Sequence, residues 1–142
     1  MSSFLWSDAW ILTAIAVASR ETPAELWQIL AAADALDHSL PLDEELHGAL
    51  SRLTESKHIE DFFARFKLGT GVPPELKAKL SQATDYKEAE KFLSSEERKS
   101  SGVGDTRNQI RYRRLTGEQI READKKYRRW LKQEAGQSGS QP

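Results

Sequence analysis

Four cations near the C-terminus, Arg121, Lys125, Arg128 and Lys132, are spaced 4, 3 and 4 residues apart, which stacks them into one stripe of a helix. Just upstream, RNQIRYRRL at 107–115 adds Arg107, Arg111, Arg113 and Arg114, interleaved with Tyr112. Cations so placed can neutralise phosphates without regard to base sequence, and a tyrosine or tryptophan can stack on exposed bases. The same run also suits a plain solvated helix face, with Ile120, Ala123, Tyr127, Trp130 and Leu131 forming the apolar side turned away from it.

Other chemistry is scarce. His38, His47 and His58 are the only histidines, none has a partner at metal-ligand spacing, and no H-E-x-x-H pattern occurs. The absence of cysteine removes disulfides, thiol nucleophiles and thiolate metal sites together. GVGDTR at 102–107 is too short for a dinucleotide-binding glycine pattern, and neither G-x-S-x-G nor a P-loop is present. Serines and aspartates abound, but no base is placed to activate one. These residues predict a binding protein, with no catalytic set, no metal and no cofactor.

Charge divides along the chain. Residues 1–64 carry 3 Lys/Arg against 11 Asp/Glu, a balance of −8, and residues 65–142 carry 18 against 11, a balance of +7. Such a split predicts different partners for the two halves, or attraction between them. With 30% charged residues the chain reads as a soluble, polar protein, and lack of cysteine fits a cytoplasmic one. AWILTAIAVA at 9–18 has the length of a signal-peptide core, yet no Lys or Arg precedes it. It is also far shorter than the ~20 apolar residues of a membrane span, so a buried helix is expected and membrane contact is not.

The elements that must position the cations follow from periodicity. A first helix is expected from about Asp8 to Ser19, capped by Ser7 or Asp8 and apolar nearly all round. ETPAE at 21–25 reads as a helix start, with Thr22 as N-cap, Pro23 in the first turn and Glu25 completing a capping box. Leu26, Ile29, Leu30, Ala33 and Leu36 then make one apolar stripe. A third helix opens at LDEEL, with Leu42, Leu46, Ala49, Leu50 and Leu53 at helical spacing. The next segment, HIEDFFARFKLGTG, fits two patterns. Ile59, Phe62, Phe63 and Phe66 match a helical stripe, while Ala64, Phe66 and Leu68 alternate as in a strand. Counting favours the helix.

The succession of helix, TPAE, helix, loop, a helix ending in ALSRLTESKHI and then ARFKL resembles bacterial winged-helix transcription regulators, over roughly residues 8–70. Ala49, Leu50, Leu53 and Ile59 match the leucine-rich end of that family's third helix, and Arg65, Phe66, Lys67 and Leu68 its returning wing strand. The resemblance implies a mainly α fold, a winged helix-turn-helix of three helices plus a small β-hairpin wing, and so turns 58–68 into strands. One departure stands out. The hairpin tip reads Asp61, Phe62, Phe63, Ala64, where residues tolerant of positive φ are usual. Either Phe62 and Phe63 are displayed there as a protein-contact surface, or they fold back onto the core.

Downstream, GVPPEL starts a further helix with Leu76 and Leu80 on one side, and another is expected over 85–98 with Tyr86, Ala89, Phe92 and Leu93 inward. Thr116 and Gln119 form a second capping box, opening a helix to about Gln133. The organisation expected is a winged-helix unit at 1–70, a helical extension at 71–99, a flexible loop at 100–106, a basic helix at 107–134 and a disordered tail at 135–142.

Two functions are thereby predicted. In the first, a regulator-like module contacts nucleic acid through wing and basic arm, using Arg52, Arg65, Lys67, Arg111, Arg113, Arg114, Arg121, Lys125, Arg128 and Lys132. The third helix itself is a poor reader, since Glu44, Glu45 and Glu55 share its outer face with the single purine-reading candidate, Arg52. In the second, a protein-interaction module or homodimer uses the acidic helices and a Phe62–Phe63 surface, without DNA.

Overall fold

The structure is a computed structural model describing residues 4–62, 65–99 and 116–139. Among these are six helices and a small three-stranded antiparallel sheet. Helix α1 (Trp6–Ala18) is followed by strand β1 (Ala24–Glu25), α2 (Leu26–Asp37), α3 (Asp43–Glu55), β2 (Ile59–Phe62), β3 (Arg65–Leu68), α4 (Pro74–Ser81), α5 (Lys87–Lys99) and α6 (Gly117–Gly139).

The most apolar helix lies at the centre. Every residue of α1 from Ser7 to Ala16 is buried, and α2, α3, α4, α5 and β3 all pack on it. Trp10 fills the α1–α2 contact, and its indole N–H donates to the Ala33 carbonyl at 2.9 Å, so the buried polar edge of the ring is satisfied. One hydrophobic core runs from Ala9 through Leu80, Ala89 and Leu93 to Tyr127, so residues 71–99 share a core with residues 1–70.

Residues 59–62 and 65–68 form strands, as the family resemblance implied and helical counting did not. Ile59 pairs with Leu68 and Phe62 with Arg65 across β2 and β3. Phe66 points inward and is fully buried, while Arg65 and Lys67 alternate to the other face. The expected helix start at ETPAE is corrected. Ala24 and Glu25 are extended and pair with Phe66 and Arg65, making β3 the central strand and leaving Thr22 and Pro23 outside α2. Local capping chemistry at Thr22 gives way to burial of Ala24 and pairing with β3. The cap sits three residues later, where Gln28 Oε1 accepts the Glu25 N–H at 2.8 Å.

The base of the hairpin is held by its backbone. The Lys57 carbonyl accepts the Gly71 N–H at 2.7 Å, and the His58 carbonyl accepts the Gly69 N–H at 2.8 Å. A Cβ at Gly69 would stand 2.5 Å from the Lys57 oxygen, and one at Gly71 2.8 Å, so only glycine allows this approach. Lys57 itself turns the chain at φ 67°.

Helix α6 starts with the capping box read from sequence. Thr116 N–H donates to Gln119 Oε1 at 2.8 Å, and Gln119 N–H returns to Thr116 Oγ1 at 3.1 Å. Its backbone stays helical to Gly139, past the point near residue 135 where a disordered tail was expected. Gln133, Glu134 and Ala135 all favour helix, and the backbone carries on through Gly136 and Ser138 against their lower propensity.

Candidate functional site

Three surfaces carry the residues singled out above: α3, the hairpin, and α6. On α3, Asp43, Glu44 and Glu55 are exposed, and Glu45 bends back so that its Oε1 accepts the Leu42 N–H at 2.8 Å. Arg52 is not among the exposed groups. Its Nε donates to Asp8 Oδ2 at 2.7 Å and its Nη2 to Asp8 Oδ1 at 2.8 Å, a bidentate pair in which the Asp8 side chain is 0% exposed and that of Arg52 16%. Asp8 also accepts the Leu5 N–H at 2.9 Å and so caps α1. The guanidinium proposed as a base reader is therefore engaged inward, and the outer face of α3 keeps its carboxylates. Sequence reading took Asp8 only as a cap of the first helix and missed its pairing with Arg52. The signal was a carboxylate inside an otherwise apolar helix, which needs a cation, in a half-chain with only 3 Lys/Arg to offer one.

On the hairpin, Phe62 ends β2 with 43% of its surface exposed, and the Lys67 ammonium lies 5.0 Å from its ring centroid. Arg65 is exposed, but in the sheet it stands between Glu25 on one side and Phe62 on the other. Glu60 lies opposite Lys67. Cations and carboxylates thus alternate across this face. Phe63 lies outside the described residues, as do Arg111, Arg113 and Arg114.

Helix α6 docks on α2 through Ile120, Ala123 and Tyr127. Tyr127 O–H donates to Asp34 Oδ2 at 2.6 Å, and burial, with this hydrogen bond second, pushes the phenol up to about 12. Lys126 Nζ bridges to Glu25 at 3.1 Å. These contacts join the acidic and basic halves of the chain, one of the two outcomes that the charge split implied. Arg121, Lys125, Arg128 and Lys132 form the outer stripe, as their spacing predicted, and all four are exposed. Two are partly neutralised within the helix, Arg128 by Asp124 at 2.9 Å and Lys125 by Glu122 at 3.7 Å. Beyond Tyr127 the apolar side is less covered: Trp130 is 38% and Leu131 42% exposed, with Trp130 6.1 Å from Trp27 between ring centroids. Between α6 and the sheet lies a groove of about 740 Å³, floored by Trp27 and Phe66 and rimmed by Glu118, Glu122, Lys126 and Arg129.

His58 is also buried, at 2% exposure. Its Nδ1 faces Ser56 Oγ at 2.6 Å and its Nε2 faces Glu96 Oε1 at 3.3 Å, with Phe4 and Phe92 edge-on to the ring. In the neutral state Ser56 O–H donates to Nδ1 and Nε2–H donates to Glu96. On protonation Nδ1–H donates instead, and the hydroxyl turns to the Arg52 or Leu53 carbonyl, 2.8 and 3.2 Å away. The Ser–His–Glu order resembles a nucleophile relay, but the imidazole is walled in and Ser56 caps the end of α3, so the set ties α3, β2 and α5 together.

Burial lowers the His58 pKa from its ordinary 6.5, against a smaller upward pull from Glu96. The unfolded chain therefore takes up this proton first as pH falls. Stability should be level above about pH 6.5 and decline below it until the folded imidazole also titrates. Urea midpoints from pH 7.5 downward should show this decline, and His58→Gln should flatten it; an unchanged slope in the variant would assign the acid sensitivity elsewhere.

Among the described residues no group of three or more His, Asp or Glu could hold a metal ion, and no helix is long and apolar enough to cross a membrane. Comparison with protein-family models, curated proteins and solved structures finds no match to this chain.

Proposed function

We propose that the chain is a non-catalytic binding module of winged-helix type that meets a protein partner and does not read DNA bases through α3. The order α1-β1-α2-α3-β2-β3, with β3 central and a hairpin after the third helix, supports the winged-helix reading. The observation that carries the functional reading is the Arg52–Asp8 pair, which withdraws the one α3 cation from solvent and leaves exposed carboxylates in its place. A duplex carries one negative charge per ~1.7 Å of its axis, so an acidic helix in the reading position works against binding. The half-exposed Phe62 and the mixed-charge groove beside Trp27 suit a polypeptide, which offers both charges and apolar side chains.

The α6 stripe supports a second reading, because Arg121 and Lys132 are exposed and in no ion pair with a described residue. In it, phosphates contact the helix without sequence selectivity. Fluorescence anisotropy with a labelled mixed-sequence duplex, run from about 50 to 200 mM salt, separates the two. The protein-module reading expects no saturable binding at the lowest salt. Binding that weakens by orders of magnitude across that range, and is reduced by Arg121→Gln/Lys132→Gln, would establish the nucleic-acid reading instead.

A further inference from the structure

We propose that a second hollow, between the C-terminal ends of α1 and α4 and strand β3, is a binding site for a phosphate group. It encloses about 340 Å³ and is lined by Ser19, Arg20, Lys67, Lys77 and Ser81 over a floor of Ala16, Leu68 and Ala78. Three cationic residues line it from three separate parts of the chain, and among the described residues no carboxylate does. None of the three is in an ion pair with a described residue. Arg20 Nε has only the Val17 carbonyl, at 3.5 Å, and Lys67 lies over the Phe62 ring.

A competing explanation is that these cations merely complement two helix ends. Charge bookkeeping decides against it as a full account. Each helix C-terminus is equivalent to roughly −0.5 charge, so two such ends offset about one of the three cations. Glu60 stands opposite Lys67 across the strands but does not line the hollow, so the lining itself keeps about two positive charges. A phosphate monoester carries about −1.5 to −2 at pH 7, which matches that remainder. The two hydroxyls donate to carbonyls of their own helices, Ser19 to Ile15 at 2.5 Å and Ser81 to Ala78 at 2.9 Å, so the cations carry the contact. The volume exceeds that of a bare phosphate, leaving room for the group to which it is esterified. The source is either a phosphorylated small molecule or the backbone of a nucleic acid. This site is argued independently of the protein-module reading.

The test titrates inorganic phosphate into the full-length protein at constant ionic strength, with chloride as the balancing anion, and follows the thermal midpoint. The wild type should gain stability with phosphate, by mass action on the folded state. Arg20→Gln/Lys77→Gln should bind phosphate at least about tenfold more weakly, since charge-assisted hydrogen bonds are lost. Lys87→Gln/Lys91→Gln, the same charge change placed on exposed positions of α5, should respond like wild type. In phosphate-free buffer the Arg20/Lys77 variant should melt no lower than wild type, because it relieves repulsion between cations; a helix-end role alone predicts a lower midpoint. Equal phosphate responses in all three proteins would overturn the site. A duplex arm assigns the source: duplex binding lost in Arg20→Gln/Lys77→Gln identifies backbone phosphate and defeats the protein-module reading while leaving the site standing. Phosphate binding without duplex binding identifies a phosphorylated small molecule.

Discussion

Replacing Arg52 with methionine should destabilise the fold by about 3–5 kcal/mol, the range for removing one partner of a buried ion pair. The penalty arises at Asp8, whose side chain has no exposure and whose remaining partner is a single backbone N–H from Leu5. Asp8→Asn/Arg52→Met should recover most of the loss, because the amide still caps α1 and no lone charge remains buried. Urea unfolding monitored by tryptophan fluorescence would measure both. A cost for Arg52→Met below about 1 kcal/mol would place the pair among surface ion pairs. It would also return Arg52 to the list of groups available for binding, and so remove the main support for the protein-module reading.

Phe66→Ala should cost a similar amount, about 3–5 kcal/mol, by leaving a cavity where the central strand meets the core. Phe66 is 1% exposed, pairs with Ala24 on β1 and Asp61 on β2, and also floors the groove under α6. The loss is therefore expected to concentrate in the sheet. Amide exchange at Arg65–Leu68 and at Ala24 should quicken more than exchange in α1. A uniform increase at all amides would mean instead that the sheet and α1 open as one unit.

The helices were largely legible because each announces itself locally. Leu46, Ala49, Leu50 and Leu53 are the buried stripe of α3, and Thr116 with Gln119 is a complete capping box in both sequence and structure. Strand β1 was not legible. TPAE has every local mark of a helix start, and it is extended only because Phe66, far along the chain, is there to pair with it. The hairpin was read correctly only by resemblance, since Ile59, Phe62 and Phe66 satisfy a helical period as well as a strand. At the candidate site, spacing placed the α6 stripe on the outside; Asp124 four residues before Arg128 and Glu122 three before Lys125 were the unread sign that carboxylates partly neutralise it. Arg52 failed as a surface candidate for a related reason. Its side chain belongs to a contact with Asp8, 44 positions earlier, and periodicity within α3 carries no information about that.

The close backbone approach at Lys57, Gly69 and Gly71 bears on how this chain can change over evolutionary time. Because the carbonyl of Lys57 is met from one side by two glycines, the base of the hairpin has neither spare length nor room for a side chain. Insertions and deletions should accordingly be rejected at 69–71, where one added residue displaces both hydrogen bonds and the start of α4. Variation in length is channelled to the far end of the strands. A lineage of such proteins would thus vary beyond the ends of β2 and β3 while the scaffold beneath kept the same register.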